Sequence, residues 1–392
     1  MTAPAPVPAA STTAEYSLRD LVAYFLRLGT FGFGGPIALV GYMQRDLVES
    51  RGWIALKDYK EGLALAQLAP GPLAAQLAIY LGWLRYGVLG ATLVALAFVL
   101  PSFVMVLVLA ALYLAYGGLS WMQGAFYGIG AAVIAIIARS VYKLTKSTLG
   151  QDGLLWVLFA VSAFVTAWTE SELVWVFVLC GVVTVGIRGR RVSATALGVL
   201  PWPWLVSGLH GPADTSVLAT IGWFFAEAGA FVFGSGLAIV PFLHGGVVNE
   251  YRWLTERQFL DAVAVAMITP GPVVITVAFI GYLVAGLAGA SVAALAVFLP
   301  CYLFVIIPAK YFQRSIHDPR VRAFVEGVTA AAAGAIAGAG FVLGRRAVFD
   351  VPTAVICLVA LVVSTRIKGA SEPLLIVAAG VLGILITTLF GS

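Results

Sequence analysis

The sequence is short of charge. Only 10% of its 392 residues are Asp, Glu, Lys or Arg, whereas 61% are hydrophobic and the mean hydropathy is +1.01. Soluble globular domains carry about 25% charged residues, so this composition excludes an ordinary soluble protein. No charged residue lies between Ala262 and Ala309, and this stretch is long enough for two spans of about 20 residues. The sequence therefore predicts an all-α polytopic membrane protein.

Cysteine and histidine are also scarce, which argues against several kinds of chemistry. The three cysteines, Cys180, Cys301 and Cys357, lie in apolar segments without CxxC spacing, so they indicate neither a disulfide framework nor a redox pair. The three histidines are isolated from one another, and no Walker A phosphate-binding loop is present. An enzyme would need clustered catalytic groups or a metal site. We therefore expect no enzyme, no cofactor, no metal and no catalytic residue.

The excess of positive charge is small, and its location is informative. The 23 Lys and Arg residues against 18 Asp and Glu residues give a net charge of +5. These cations fall in short loops beside apolar segments, where cations orient a membrane protein. Nucleic-acid binding is therefore not expected.

The most informative feature that is present is a repeat with a spacing of 200 residues. A Gly- and Pro-rich cluster at Phe31 to Pro36 recurs at Phe231 to Gly236, and the tripeptide Pro70 to Pro72 recurs at Pro270 to Pro272. Identical residues continue to match on both sides of these clusters. The pattern predicts one fold that is written twice.

Each half is expected to contain two Gly/Pro-broken segments, half-helical or re-entrant, followed by about four spans. The N-terminal repeat is predicted at residues 16–188 and the C-terminal repeat at residues 217–390. Residues 1–15 are rich in Ala, Pro, Ser and Thr and lack the basic and apolar regions of a signal peptide, which predicts a disordered cytoplasmic tail. The connector at 189–216 contains an apolar piece that could form an extra span.

The cations in equivalent loops indicate that the two halves face opposite sides of the membrane. The loop after the first broken segment is basic in the first half, whereas acidic residues balance its counterpart in the second half, Asp261 among them. Residues 117–124 are uncharged and match a loop with four cations, and the acidic turn at 169–172 matches a basic one. Because short cytoplasmic loops are enriched in Lys and Arg, these differences predict inverted repeats. One pair of loops disagrees, since it is basic in both halves.

The Gly and Pro clusters interrupt apolar segments, where irregular backbone is tolerated only if protein covers it or it lines a polar cavity. A helix that begins there presents unpaired N–H groups and the positive end of its dipole, which bind an anion without a cationic side chain. We therefore predict a site for a compact oxyanion. The substrate-binding candidates are the Gly and Pro residues of the breaks and the nearest hydrogen-bond donors: Thr30, Gly34, Gly35, Pro36, Gln67, Pro70, Gly71, Pro72, Gln76, Gly234, Ser235, Gly236, Thr269, Pro270, Gly271, Pro272 and Thr276. The alternative for the polar side chains is a hydrogen bond to neighbouring backbone.

Charged residues in or beside apolar segments are candidates for coupling or for an ion pair. Arg27 lies in the first broken segment, and Glu227 occupies the equivalent position in the second half. These two could form an ion pair across the axis, or Glu227 or Glu326 could carry a coupling proton. Arg45, just beyond the first broken segment, could attract the anion. The alternative for Arg27 and Glu326 is that they extend to the membrane surface.

Taken together, these motifs resemble the chromate ion transporter (CHR) family, in its long-chain bidomain bacterial type. The resemblance rests on the Gly/Pro openings of both halves, on Trp53 and Trp253 after them, and on the two Pro-Gly-Pro tripeptides. It implies antiparallel halves and a multi-pass secondary transporter of the bacterial inner membrane that exports chromate and confers chromate resistance. The implied partners are chromate or sulfate and the lipid bilayer. The sequence departs from the pattern at Ser235 and Gly236, so the two halves would contact the ion unequally.

Other functions stay open at this point. Sulfate has the charge and shape of chromate, so a proton-coupled sulfate or other oxyanion transporter fits the same residues. A flippase for a lipid-linked phosphate would also use re-entrant helices. The sequence decides neither the coupling ion, protons included, nor the oligomeric state, a homodimer included.

Overall fold

The structure, a computed structural model, is helical and shows no strand in the residues that it describes. Those residues are 15–33, 35–116, 120–169, 174–188, 215–231, 239–309, 319–366 and 372–390. Nearly all of the predicted N-terminal tail and of the predicted connector lies outside them.

The described parts of the two halves contain the same succession of seven α-helices. In the first half these are α1 Leu18–Phe31, α2 Gly35–Met43, α3 Leu56–Leu68, α4 Leu73–Tyr116, α5 Ser120–Leu149, α6 Gly153–Thr169 and α7 Val174–Arg188. In the second half they are α8 Thr215–Phe231, α9 Ile239–His244, α10 Glu256–Ile268, α11 Thr276–Ala309, α12 Pro319–Ala347, α13 Val351–Arg366 and α14 Glu372–Phe390. A π-helical segment extends α2 and α9, and a short 3-10 turn, Val273–Ile275, precedes α11.

Local sequence explains where several helices begin. Ser17 and Asp20 form a capping box at the start of α1, and Thr255 and Gln258 form one at the start of α10. Each box satisfies backbone N–H groups that the first helical turn leaves unpaired. Hydrogen bonds from the Ser17 side chain and backbone also hold the pKa of the Asp20 carboxyl below its ordinary value.

The long helices α4 and α11 each fold back on themselves at a glycine. Gly87 has φ +59° inside α4, and Gly286 has φ +60° inside α11. A β-carbon at Gly82 would lie 2.6 Å from the carbonyl oxygen of Gly90, although eight residues span about 12 Å in a continuous helix. The chain therefore reverses at Gly87, and the first arm, α4a (73–86), packs antiparallel to the second, α4b (88–116). The second half repeats this reversal between α11a (276–284) and α11b (287–309).

The shorter helices before each reversal also run back beside each other. Tyr24 of α1 donates to Asp46 in the segment that follows α2, at 3.4 Å. Gly62 of α3 packs directly against the ring of Tyr80 in α4a. The first pair therefore has its tip beside Gly32, and the second pair has its tip at residues 69–72, where the chain changes direction.

At the ends opposite these tips, the helices are held together by contacts between aromatic residues. The ring of Tyr16 stacks on Trp53 at 5.2 Å, Tyr86 donates to the Tyr16 carbonyl at 2.7 Å, and the Arg51 guanidinium lies 4.5 Å from the Trp53 ring centre. We call these four residues the first base.

The second half has an equivalent aromatic cluster. Tyr251 and Trp253 stack at 4.7 Å, and the ring of Phe224 lies 5.4 Å from Tyr251. We call these three residues the second base. Trp53 and Trp253 thus occupy equivalent places at the ends of the helical arms.

The two halves exchange their last helices. The first-half helices α6 and α7 pack mainly on α12 of the second half, and α13 and α14 pack mainly on α5 of the first. Glycines make these contacts close: Gly334 of α12 lies on the Phe159 carbonyl of α6, and Gly128 of α5 lies on the Ala379 carbonyl of α14. The halves therefore interlock and do not form two separate cores.

Much of the outer surface is apolar. Large side chains such as Trp168, Leu295 and Leu389 are exposed, which is unfavourable in water and suits a lipid environment. In the part of the chain that the structure describes, segments of α4, α5, α11 and α12 are long and apolar enough to cross a membrane. The helices α6, α7, α13 and α14 are shorter and also apolar.

The reversal at Gly87 predicts that close contact between the arms of α4 is needed for stability. We expect Gly82→Val to lower the free energy of unfolding by about 1–3 kcal/mol, because the added carbons meet the Gly90 carbonyl. Gly130→Ala in α5 is the control, since no atom lies within 4 Å of its added β-carbon. Thermal unfolding of the purified protein in detergent measures both. Equal midpoints for the two variants would contradict the hairpin.

Candidate functional site

The second arms α4b and α11b of the two long helices pack against each other, and we call this contact region the centre. Ser102 and Cys301 occupy equivalent positions there, each directly after a proline, and both are 0% exposed. Both side chains are small, which leaves room for the helical tips to approach the two long helices.

One tip from each half meets at Ser102. The backbone N–H of Gly271 donates to the carbonyl of Gly32 at 3.0 Å. Gly271 lies directly on the Ser102 side chain, whose hydroxyl donates to the carbonyl of Gly29 at 3.4 Å. The second tip of the second half is therefore joined to the first tip of the first half.

The second tip of the first half is covered in the equivalent way. A β-carbon at Gly71 would lie 2.5 Å from the Cys301 β-carbon and 2.5 Å from Nε2 of Gln76. Each Pro-Gly-Pro tip is thus packed against the long helix of the other half.

Both tips need glycine for conformational reasons as well. Gly71 has φ +140° and Gly271 has φ +96°, values that side-chain-bearing residues rarely adopt. Helical structure starts two residues later in each case, at Leu73 and at Val273. The first-turn N–H groups of such a helix have no partner within the helix, and the dipole places partial positive charge beside them. The tips therefore bring two helix N-termini to the centre of the molecule.

The predicted threonine ligands donate to their own helices. The hydroxyls of Thr30, Thr269 and Thr276 donate to the carbonyls of Leu26, Val265 and Val273, each at 2.7 Å. This is the alternative that the sequence left open for polar residues in apolar helices. A role in binding stays a prediction, and it would require these hydroxyls to rotate.

The two predicted glutamines lie in different surroundings. Gln67 is exposed on α3, whereas Gln76 is 0% exposed and its Nε2 donates to the Pro70 carbonyl at 2.6 Å. Oε1 of Gln76 has no hydrogen-bond partner among the described residues. Gln76 therefore supports the first-half tip and leaves one buried acceptor there.

The remaining Gly and Pro candidates divide into two groups. Gly35 and Pro36 begin α2, while Pro70, Pro72, Pro270 and Pro272 flank the glycines of the two tips. Gly34, Gly234, Ser235 and Gly236 lie outside the described residues.

The charged candidates are not brought together. Arg27 is exposed on α1 and Glu227 is half-buried in α8, and no ion pair joins them in the part of the chain that the structure describes. The ion pair that the sequence suggested as one possibility is therefore not formed, because Arg27 is exposed on α1. Arg45 pairs with its neighbour Asp46 at 2.9 Å, and Glu326 is half-buried near the start of α12.

Sequence reasoning missed one buried carboxylate. Asp261 was assigned to a loop, but it lies within α10 and is 4% exposed. Oδ2 of Asp261 accepts a hydrogen bond from the hydroxyl of Tyr113 in α4b at 2.7 Å. A signal was available, since Asp261 directly precedes the long uncharged segment. Its partner is 148 residues away, so the contact itself could not be predicted.

A polar cluster around a buried histidine was also missed. His244 is 3% exposed and its Nε2 lies 2.8 Å from Oε2 of Glu256. Arg346 at the end of α12 pairs with Glu256 and lies 3.2 Å from His244. The cluster joins α9 and α10 to α12.

Comparison with known proteins gives one family. The family model described as "Chromate transporter" matches residues 19–185 and 219–384, so it matches the chain twice. A chromate transport protein of Cupriavidus metallidurans is 60% identical over 378 residues, which cover 95% of this chain and 94% of that protein. A probable chromate transport protein of Synechococcus elongatus is 56% identical over 380 residues, covering 94% and 96%.

A shorter relative matches a single half. The uncharacterized transporter YwrB of Bacillus subtilis is 33% identical over 157 residues, which cover 38% of this chain and 77% of that protein. No solved structure matches this chain. The double match of the family model and the half-length relative agree that the chain contains two repeated halves.

The packing at the Pro-Gly-Pro tips predicts a difference between two glycines with positive φ. Alanine is strained at both Gly71 and Gly87, but only Gly71 is crowded, since no atom lies within 4 Å of a β-carbon at Gly87. We expect Gly71→Ala to lose about 1–3 kcal/mol more stability than Gly87→Ala. Thermal unfolding in detergent measures the difference. If Gly87→Ala were the less stable variant, the tip would not be packed as described.

Proposed function

Because the chain belongs to the chromate transporter family, we propose that it is a secondary transporter that exports chromate across the bacterial inner membrane and so confers chromate resistance. The family and the identity to chromate transport proteins over nearly the whole chain support the substrate. The geometric observation that carries the proposal is the joining of tips from both halves at the centre, through Gly271 and Gly32.

The proposed oxyanion site lies between the two Pro-Gly-Pro tips, at Gly71 and at Gly271. The donors are the first-turn N–H groups of the helices that begin at Leu73 and at Val273, assisted by their dipoles. Helix N-termini bind compact anions without a cationic side chain, and the described tips contain none. Glycine at positions 71 and 271 lets the backbone approach the ion closely.

We further propose that the two halves are inverted and that the helical pairs are re-entrant, with their tips near the middle of the bilayer. Tyr113 lies about 39 Å along α4b from Gly87, and it contacts α10, which directly follows the second base. The other long helix approaches the first base in the same way. Tyr302 of α11b shares a hydrogen bond of 2.6 Å with Thr92, which lies close to Gly87. Each long helix therefore leaves its own base and approaches the other, which supports bases on opposite membrane surfaces.

The energetics favour export. An inside-negative potential is worth about 2.3 kcal/mol per charge per 100 mV, so a dianion gains about twice that on leaving the cell. Uptake of the same ion would need more than two accompanying protons to become electrically favourable.

Flux in liposomes tests the function. With purified protein in liposomes and labelled chromate, we expect the ion to move toward the positive side of an imposed potential, because its charge drives it there. Gly271→Val should reduce this flux at least about tenfold, since a bulky side chain meets Ser102 at the tip.

The control for this flux is Gly41→Ala in α2, where no atom lies within 4 Å of the added β-carbon. Labelled sulfate, tested in parallel under imposed potential and pH gradients, measures the alternative substrate. The proposal fails if chromate does not move under any gradient, and the substrate is reassigned if only sulfate moves.

Equivalent surface positions test the inversion. Ser50 and Glu250 are both exposed and lie at the same place in their halves. We expect Ser50→Cys and Glu250→Cys, each in a background with Cys180, Cys301 and Cys357 replaced by alanine, to react with a membrane-impermeant maleimide from opposite sides. Labelling of intact cells and of inverted vesicles measures this. Reaction of both cysteines from one side would refute inversion.

A further inference from the structure

Asp261 differs from its counterpart in the first half although the local sequence is similar. In α3, Lys57 and Glu61 form an ion pair at 3.9 Å, four residues apart. In α10 the equivalent residues are Arg257 and Asp261, but the Arg257 guanidinium donates to the carbonyl of Gln123 at 3.2 Å. In the part of the chain that the structure describes, no ion pair neutralises Asp261.

Aromatic rings surround the hydroxyl that contacts Asp261. Tyr113 donates to the carboxylate, and the Tyr113 ring meets Phe126 of α5 at 5.5 Å and Phe279 of α11a at 5.4 Å, both edge to face. The residues that follow Asp261 in α10 are buried and apolar. An ionised carboxylate is costly in such a place without a cation, whereas the neutral acid is tolerated.

Few titratable groups act on this carboxyl. From the helices that pack on α10, the described group that reaches it is Tyr113 of α4b, and on its own helix Arg257 is the nearby cation. Tyr127 of α5 donates to Asp350 instead, at 2.6 Å.

The contact also joins the two halves. Asp261 lies in α10 of the second half, ten residues before Gly271 of the tip between α10 and α11. Tyr113 lies in α4b of the first half. Motion of the second-half tip relative to α4b therefore changes the only hydrogen bond that the described residues give to this carboxylate.

We propose that the Asp261 carboxyl, held by the Tyr113 hydroxyl, is a proton-binding site through which inward proton movement is exchanged for outward chromate movement. This inference rests on the proposed transport function and adds its coupling group. The carboxylate takes one proton from water on the outer side and becomes a neutral acid. When the hydrogen bond to Tyr113 is remade, the same proton is released to the inner side. No bond to chromate forms, and no electron moves.

Proton and chromate fluxes measured together test the proposal. The full chain is placed in liposomes with a pH-sensitive dye inside, and labelled chromate flux is driven by an imposed potential. We expect Asp261→Asn, which mimics the neutral acid, to keep chromate flux within a few-fold of the unmodified protein. The protons moved per chromate should fall at least about tenfold, and the pH dependence of the flux should flatten.

Two further variants keep the test decisive if Asp261→Asn does not fold. Asp261→Glu should restore proton movement, because the carboxyl is retained. Tyr113→Phe should keep coupling but move the midpoint of the pH profile of chromate flux upward, because the carboxylate loses a hydrogen bond that favours its charged form. Glu61→Gln, at the equivalent position in the first half, is the matched control and should leave proton coupling unchanged.

The outcomes separate this inference from the proposed function. If the unmodified protein moves no chromate, the transport function itself is refuted. If it moves chromate without protons at every pH, or if Asp261→Asn and Tyr113→Phe retain the unmodified proton flux and pH profile, the proton site is refuted while the transport function stands.

Discussion

The joining of the two halves at the centre depends on covering the backbone where helices are interrupted. A helix end in an apolar environment leaves N–H and C=O groups that water cannot reach, and each unpaired group is costly. The protein satisfies them between its halves: the Gly271 N–H donates to the Gly32 carbonyl, and the Ser102 hydroxyl donates to the Gly29 carbonyl. The tips of the two halves are thus completed by contacts between the halves, and the exchange of the last helices, α6 and α7 with α13 and α14, joins the halves a second time.

The two halves have nearly the same fold, and they differ in the side chains around their Pro-Gly-Pro tips. The tip at Gly71 meets Cys301 and the amide of Gln76, whereas the tip at Gly271 meets the hydroxyl of Ser102. In the proposed site, backbone donors come from both halves, and these side chains would make its two sides chemically different. Ten residues before each of these glycines the halves differ again. Asp261 of the second half is buried, whereas the equivalent Glu61 is partly exposed. Under the two proposals, an ion bound by equivalent backbone groups of both halves would be coupled to a proton through the second half alone.

Particular residues show how far sequence reasoning reached and where it stopped. The breaks at Pro70 to Pro72 and at Pro270 to Pro272 were visible because Gly and Pro punctuate helices in any context. The reversals at Gly87 and Gly286 were not, since a single glycine inside an apolar helix gives little local signal. Asp261 was mistaken for a loop residue because its burial arises from tertiary contacts, among them the one with Tyr113 of α4b in the other half.

The sequence by itself determined the helical membrane class, the two repeated halves and the places where helices break, because composition, periodicity and Gly/Pro chemistry act over a few residues. Only the tertiary structure decided that the tips of one half are completed by the other, that the last helices are exchanged, and that Tyr113 meets Asp261. These contacts join residues more than a hundred positions apart, for example 148 positions for Tyr113 and Asp261. They form because buried polar groups must find partners wherever the folded chain brings them.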